Sequence, residues 1–171
     1  MQHLVLMGYM GSGKSTVGKA LAKYLQLDFK DLDQEIEKDL GKSIPEIFIQ
    51  KGEIYFRRNE RMVLEQLLQS PSPMVLALGG GTPCYGNVIS LLHQSNAKTF
   101  YLKVSIVDLV QRLMPEKEFR PLIKNIAADN LQEFIAKHLF ERRQFYEQAN
   151  HTIQIKNQSV EEIVQQIVAL I

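Results

Sequence analysis

Five apolar runs recur along the chain: "HLVLMG" (3–8), "LDFKDLD" (27–33), "MVLALG" (74–79), "KTFYLKV" (98–104) and "HTIQI" (151–155). Short runs of this kind, rich in branched and aromatic residues, read as strands. The longer stretches between them carry apolar residues at three- and four-residue spacing and read as helices. Strand alternating with helix predicts an α/β protein whose five-stranded parallel sheet is covered on both faces, in three layers.

The helical stretches can be placed more closely. Val17, Ala20, Leu21, Tyr24 and Leu25 fall on one face and predict an amphipathic helix from Lys14 to Leu25. Ser43 and Glu46, around Pro45, form a capping box that opens a short helix ending near Gly52. A separate helix from Glu53 to about Gln69 follows, with Phe56, Val63, Leu64, Leu67 and Leu68 as its buried stripe and Arg57, Arg58 and Arg61 off it. "LMPEKEFRPLIKN" (113–125) is charged and interrupted by two prolines, so it reads as a mobile loop with little apolar surface to hold it down. Helix resumes over about 129–148. A second capping box at Ser159 and Glu162 opens a terminal helix with Ile163, Ile167 and Leu170 inward.

Composition narrows the class without naming a function. At 171 residues, 45% hydrophobic and 23% charged, the chain fits one globular domain, 1–171, and argues against disorder or a coiled coil. Twenty Lys and Arg against 19 Asp and Glu leave a net charge of +1, which gives no broad electrostatic reason to bind nucleic acid or an anionic membrane. Cys84 is the single cysteine, Met1 leads straight into a strand with no signal peptide, and no apolar run is long enough to span a bilayer. A soluble, cytoplasmic protein is expected. His3, His93, His138 and His151 show no metal-ligand spacing, and Cys84 reads as a packing residue.

The chemistry begins at "GYMGSGKST" (8–16), where Gly8, Gly13, Lys14 and Ser15 satisfy G-x-x-x-x-G-K-[ST] between a predicted strand and a predicted helix. In that context backbone N–H groups and the helix N-terminus face phosphates, Lys14 adds a point charge at the transferring group, and Ser15 offers a hydroxyl to Mg²⁺. Three further features lie elsewhere. Asp31 and Asp33 end the second predicted strand two residues apart, so both carboxylates are expected on one side, facing a crevice beyond the sheet's carboxyl edge. Gly79, Gly80 and Gly81 end the third strand, and three glycines in succession suit close approach of backbone to a ligand. Arg57, Arg58, Arg120, Arg142 and Arg143 supply guanidinium forks able to grip carboxylate or phosphate.

Taken together, "GYMGSGKST", "DLDQEIE", "GKSIPEIF", "GEIYFRRNE", "ALGGGTP", "FRPL" and "ERRQFYE" resemble the shikimate kinase family nearly end to end. The resemblance implies a P-loop kinase fold in three α/β/α layers, with a substrate-binding segment at about 33–61 and a mobile lid at about 113–125. It implies ATP-dependent phosphorylation of the shikimate 3-hydroxyl, with Mg²⁺, in the route to chorismate and the aromatic amino acids, by a monomer. Gly11, Ser12, Gly13, Lys14, Ser15 and Thr16 would hold ATP together with Arg112 and Arg120. Asp33 would bind shikimate hydroxyls, Arg57 and Arg142 its carboxylate, and Gly79, Gly80 and Gly81 its ring. Ser15 and Asp31 would serve the metal, Asp31 through water, and Arg120 would arrive from the lid. Arg142 lies four residues before Tyr146 as in the family pattern, with Arg143 the alternative, and Arg112 matches the adenine-stacking arginine at one residue's greater distance from the lid arginine than in some relatives.

On this reading Lys14, Asp33 and Arg120 are the catalytic set, with Asp33 either orienting the hydroxyl or accepting its proton. A kinase for another small hydroxy acid or for a nucleoside monophosphate is the rival within the class. A nucleotide-dependent switch is the rival outside it, weakened by the lack of an N-K-x-D guanine signature.

Overall fold

The computed structural model describes residues 2–171. Twelve main elements follow one another: β1 (His3–Met7), α1 (Lys14–Leu25), β2 (Asp28–Asp31), α2 (Leu32–Leu40), α3 (Ile44–Leu68), β3 (Met74–Ala77), α4 (Val88–Gln94), β4 (Ala97–Val104), α5 (Ile106–Leu113), α6 (Leu131–Tyr146), β5 (His151–Ile155) and α7 (Val160–Val168). All five strands are parallel, in the order β2-β3-β1-β4-β5. β1 is central, pairing Val5 with Leu76 on one side and with Thr99 on the other. Every residue of β1 is buried, as expected of a strand with helices over both faces.

Strand order reverses beside β1: the chain passes from β1 to β2 at the outer edge, returns to β3 against β1, and then crosses to β4 and β5 on the other side. Ligands of open α/β sheets bind in the crevice that such a reversal opens at the carboxyl ends of the strands. The glycine loop leaves β1 at that point. The core beneath it is formed by residues such as Leu4, Leu6, Leu21, Leu76, Phe100 and Leu102.

The predicted α1 and β5 match the observed bounds, and both capping boxes are made: Ser43 with Glu46 and Ser159 with Glu162. Several expectations need correction. β2 stops at Asp31, and Asp33 belongs to the first turn of α2. The two helices expected either side of Gly52 run together as α3, broken locally where Gly52 takes φ 80°, ψ 175°, a conformation that a residue with a Cβ avoids. Phe48 and Phe56 close that break with ring centroids 4.7 Å apart.

The 113–125 segment is less bare of structure than its composition suggested. α5 ends at Leu113, a 3₁₀ turn spans Lys117–Phe119, and Ile123 is completely buried in the core cluster. Leu113 at its start and Ile123 near its end tie the segment to the core. Tyr24 turns outward at the margin of the α1 stripe, and Leu170, expected inward on the terminal helix, lies past the end of α7 and is exposed. No helix among the described residues is long and apolar enough to cross a membrane.

Candidate active site

The loop between β1 and α1 wraps around its own lysine. Lys14 Nζ is buried and donates to the carbonyls of Gly8 at 2.8 Å and Tyr9 at 3.0 Å, with Ser12 Oγ at 3.5 Å. Burial lowers its pKa to about 8, an effect opposed by the carboxylates of Asp33 and Asp31 and reinforced by the Arg120 charge. Val17 N–H closes the first turn on Gly13 O at 2.9 Å, which leaves the preceding N–H groups of the helix start without intrahelical partners.

Asp31 joins this loop to the next. Its Oδ2 accepts from Ser15 Oγ at 2.8 Å, and its Oδ1 caps α2 by accepting from Asp33 N–H at 3.1 Å. The two carboxylates therefore reach the same crevice through a strand-to-helix corner and not through strand alternation. Asp33 is held among like charges: burial first, then Asp31, Glu60 and Glu37, with Lys14 opposing, raise its pKa to about 6.

The glycine triplet packs directly on these groups. A Cβ on Gly79 would stand 2.7 Å from Asp33 Oδ1, one on Gly80 would meet Met10 N at 3.2 Å, and one on Gly81 would meet Arg57 Nη2 at 3.0 Å. The triplet thus separates the phosphate loop from Arg57 with no side chain of its own. Arg57 is fixed by Glu60 (Nη1–Oε2 2.8 Å), by Glu53 (Nε–Oε1 3.4 Å) and by the Tyr85 ring, 4.1 Å from its Cζ. Glu60, nearly inaccessible, also accepts from Thr82 Oγ1 at 2.7 Å.

A cavity of about 600 Å³ follows the crevice. Gly11, Ser12, Gly13, Lys14, Ser15, Thr16, Asp31, Asp33, Gly79, Gly80, Arg112 and Arg120 all line it. Arg112 Nη1 donates to Gly11 O at 3.3 Å, and Arg120 Nε to Glu116 Oε2 at 2.8 Å, so both guanidinium groups already stand over the phosphate loop. Arg57, Gly81 and Arg142 lie outside this lining, beyond the triplet. Arg142 is half-buried and near enough for its charge to act on Tyr9, Cys84 and Tyr146, whose hydroxyl donates to Gly80 O. Arg143 points away, exposed and paired with Glu147 (Nε–Oε1 2.6 Å), so only Arg142 faces the triplet.

The cavity has two chemically distinct ends: a lysine, an N-terminal helix turn and two arginines at one, and the Asp33 carboxylate with bare glycine backbone at the other, with Arg57 beyond that backbone. A shikimate kinase family model matches residues 10–171. A shikimate kinase of Flavobacterium johnsoniae is 47% identical over 171 residues, covering 100% of this chain and 99% of that one. The chain belongs to the shikimate kinase family. The crystal structure of a shikimate kinase from Bacteroides thetaiotaomicron superposes with a TM-score of 0.90 at 34% identity, over 99% of this chain and 97% of that one. A shikimate kinase from Acinetobacter baumannii, solved in complex with shikimate, gives 0.88 at 34% identity, over 99% and 92%.

Some groups that hold the candidate site residues in place were not visible as such in the sequence. Glu60, three residues after Arg57 on one helix, is a pairing that helical spacing alone could have signalled. Glu116, Thr82 and Tyr9 carried no such mark.

Proposed function

We propose that this chain carries out its family's reaction, transfer of the ATP γ-phosphoryl to the 3-hydroxyl of shikimate to give shikimate 3-phosphate and ADP, with the residues of the crevice in the following roles. The loop from Gly11 to Thr16 cradles the phosphates, and Arg112 stands where an adenine would lie against the loop. Lys14 leaves its two carbonyl partners for phosphate oxygens, and Arg120 exchanges Glu116 for the transferring group. Asp33 accepts the hydrogen bond of the 3-hydroxyl and, ionised above pH about 6, is available to take its proton. Arg57 and Arg142 grip the carboxylate, while Gly79, Gly80 and Gly81 let the ring lie on backbone.

A kinase of this family uses ATP with a divalent metal, and we take it to be Mg²⁺. No cluster of three metal-binding side chains occurs among the described residues, and none is required, because Mg²⁺ beside a nucleotide is held by one or two protein oxygens with phosphates and water. Ser15 Oγ and Asp31 Oδ2, 2.8 Å apart at the loop, fit that need. The ion would neutralise phosphate charge there.

All the groups used come from one chain, which supports a monomeric working unit: a single domain, 1–171, with a substrate segment at about 33–61 and a lid at about 113–125. The near-balanced net charge of +1 supports no nucleic-acid or membrane partner, and the lone cysteine suits the cytoplasm. One observation carries the assignment of the acceptor end: Asp33 packs against Gly79 and Arg57 against Gly81, so a carboxylate and a guanidinium stand at either end of one bare glycine backbone. The test is ADP release from Mg·ATP with shikimate, quinate, gluconate and nucleoside monophosphates offered separately. Turnover confined to shikimate is expected, and equal or greater turnover with gluconate or a monophosphate would overturn the assignment.

A further inference from the structure

Helix α6 presents His138, Arg142 and Tyr146 four residues apart, along one face that continues the buried stripe of Leu131 and Ile135. Each outer member of the trio is bonded to a different glycine loop. Tyr146 donates its hydroxyl proton to the carbonyl of Gly80 in the triplet. His138 Nδ1 lies 2.8 Å from the hydroxyl of Tyr9, with the rings edge to face at 83° and centroids 5.5 Å apart. Tyr9 directly follows Gly8 in the phosphate loop, is buried, and gives its own carbonyl to Lys14 Nζ. Burial raises the Tyr9 pKa to about 12, and burial followed by the Arg142 charge lowers that of His138. The hydroxyl therefore keeps its proton, and the direction of its bond to Nδ1 follows from the imidazole tautomer.

Between these two fixed points stands Arg142, which has no carboxylate partner within salt-bridge distance among the described residues. A guanidinium on a long stem is easily misplaced by a small rotation or slide of its helix, and a bidentate grip tolerates little such error. A bond on either side of it, one turn away in each direction, removes both freedoms. We propose that the His138–Tyr9 hydrogen bond is a positioning contact that holds α6 against the phosphate loop and thereby sets Arg142 at the place where it meets the substrate carboxylate. His138 and Tyr9 are positioning residues here and touch neither substrate. The inference rests on the reading of Arg142 as a carboxylate contact.

Steady-state kinetics on the full chain separate the two ideas. Arg142→Ala tests the underlying reading and is expected to raise the KM for shikimate tenfold or more. Tyr9→Phe, which keeps ring volume, and His138→Ala are each expected to raise that KM about three- to tenfold, with kcat and the KM for ATP within twofold. The double variant should be no worse than the more damaged single one. His138→Asn, which keeps a hydrogen-bonding atom near the place of Nδ1, should recover most of the loss, and thermal melts should show all variants folded. A raised KM in Arg142→Ala together with an unchanged KM in both Tyr9→Phe and His138→Ala overturns the positioning role alone. Effects of Tyr9→Phe and His138→Ala that multiply in the double variant, or a His138→Asn protein as impaired as His138→Ala, overturn it as well. An unchanged KM in Arg142→Ala overturns the carboxylate reading and this inference with it.

Discussion

Asp33 Oδ1 lies 2.7 Å from the point where a Cβ on Gly79 would stand, so the carboxylate occupies space that only glycine leaves open. Thr82 Oγ1 is nearly as close, at 2.9 Å, and is itself held by buried Glu60. The added methyl of Gly79→Ala cannot be absorbed without pushing aside the Asp33 carboxylate or the Thr82 hydroxyl. We expect kcat to fall roughly 10- to 100-fold, since a misplacement approaching 1 Å is worth about that much. ATP affinity should be retained, as read by nucleotide titration beside steady-state rates. A variant that turns over normally would show that the place of Asp33 does not govern the rate.

The charge on Asp33 costs the folded protein stability. Its folded-state pKa, about 6, lies above the ordinary 3.8, so ionisation costs the folded protein; that cost is absent below about pH 4 and complete above about pH 6. Asp33→Asn should therefore raise the melting temperature at pH 8, by an amount on the order of 1–3 kcal/mol in stability. The gain should fade as pH drops from 6 towards 4. Turnover should meanwhile fall by about 100-fold or more if the ionised group is used. Melting curves of both proteins across that range check the sign, and a gain independent of pH would contradict it.

Lys14 sets the alkaline side. Burial holds its pKa at about 8 in the empty loop, so the ammonium is lost as pH rises through that value. The kcat/KM for ATP, which reports the free enzyme, should decline above about pH 8. Bound phosphate oxygens favour the protonated form, so the alkaline limb of kcat should lie at higher pH. Pairs of pH–rate profiles measure the separation, and coincident limbs would assign the decline to another group.

The 114–125 segment reaches the core through Ile123. Ile123 is fully buried, whereas its neighbours Phe119 and Leu122 are exposed. Ile123→Ala should speed amide exchange over 114–125 roughly 30-fold or more, because losing a buried branched side chain costs about 2 kcal/mol or more. Exchange in β1 and β4 should change far less. Arg120→Ala should instead leave exchange nearly unaltered and lower kcat strongly, with shikimate affinity kept. Equal exchange in wild type and Ile123→Ala would remove the anchor from the account.

Local rules of the chain were enough for much of this molecule. The glycine loop, the helix from Lys14 and the capping boxes depend on interactions within a few residues, so their residues specify them wherever the chain goes. The five apolar runs predicted a parallel sheet in the same way, because a strand buried on both faces needs no partner to be recognised. Quoted together, the motifs were specific enough to carry the family. Tertiary structure decided what depends on distant partners. Whether Arg142 or Arg143 faces the site turned on which of them meets Tyr146 and which meets Glu147 across the helix surface. That the 113–125 segment reaches the core, through Leu113 at its start and Ile123 near its end, was concealed by a composition averaged over thirteen residues. Asp31 and Asp33 converge through a cap at a strand-to-helix corner, and the bond between Tyr9 and His138 joins positions 129 residues apart. No local pattern encodes such a pair, because its geometry exists only once the sheet has brought the phosphate loop and α6 to the same edge.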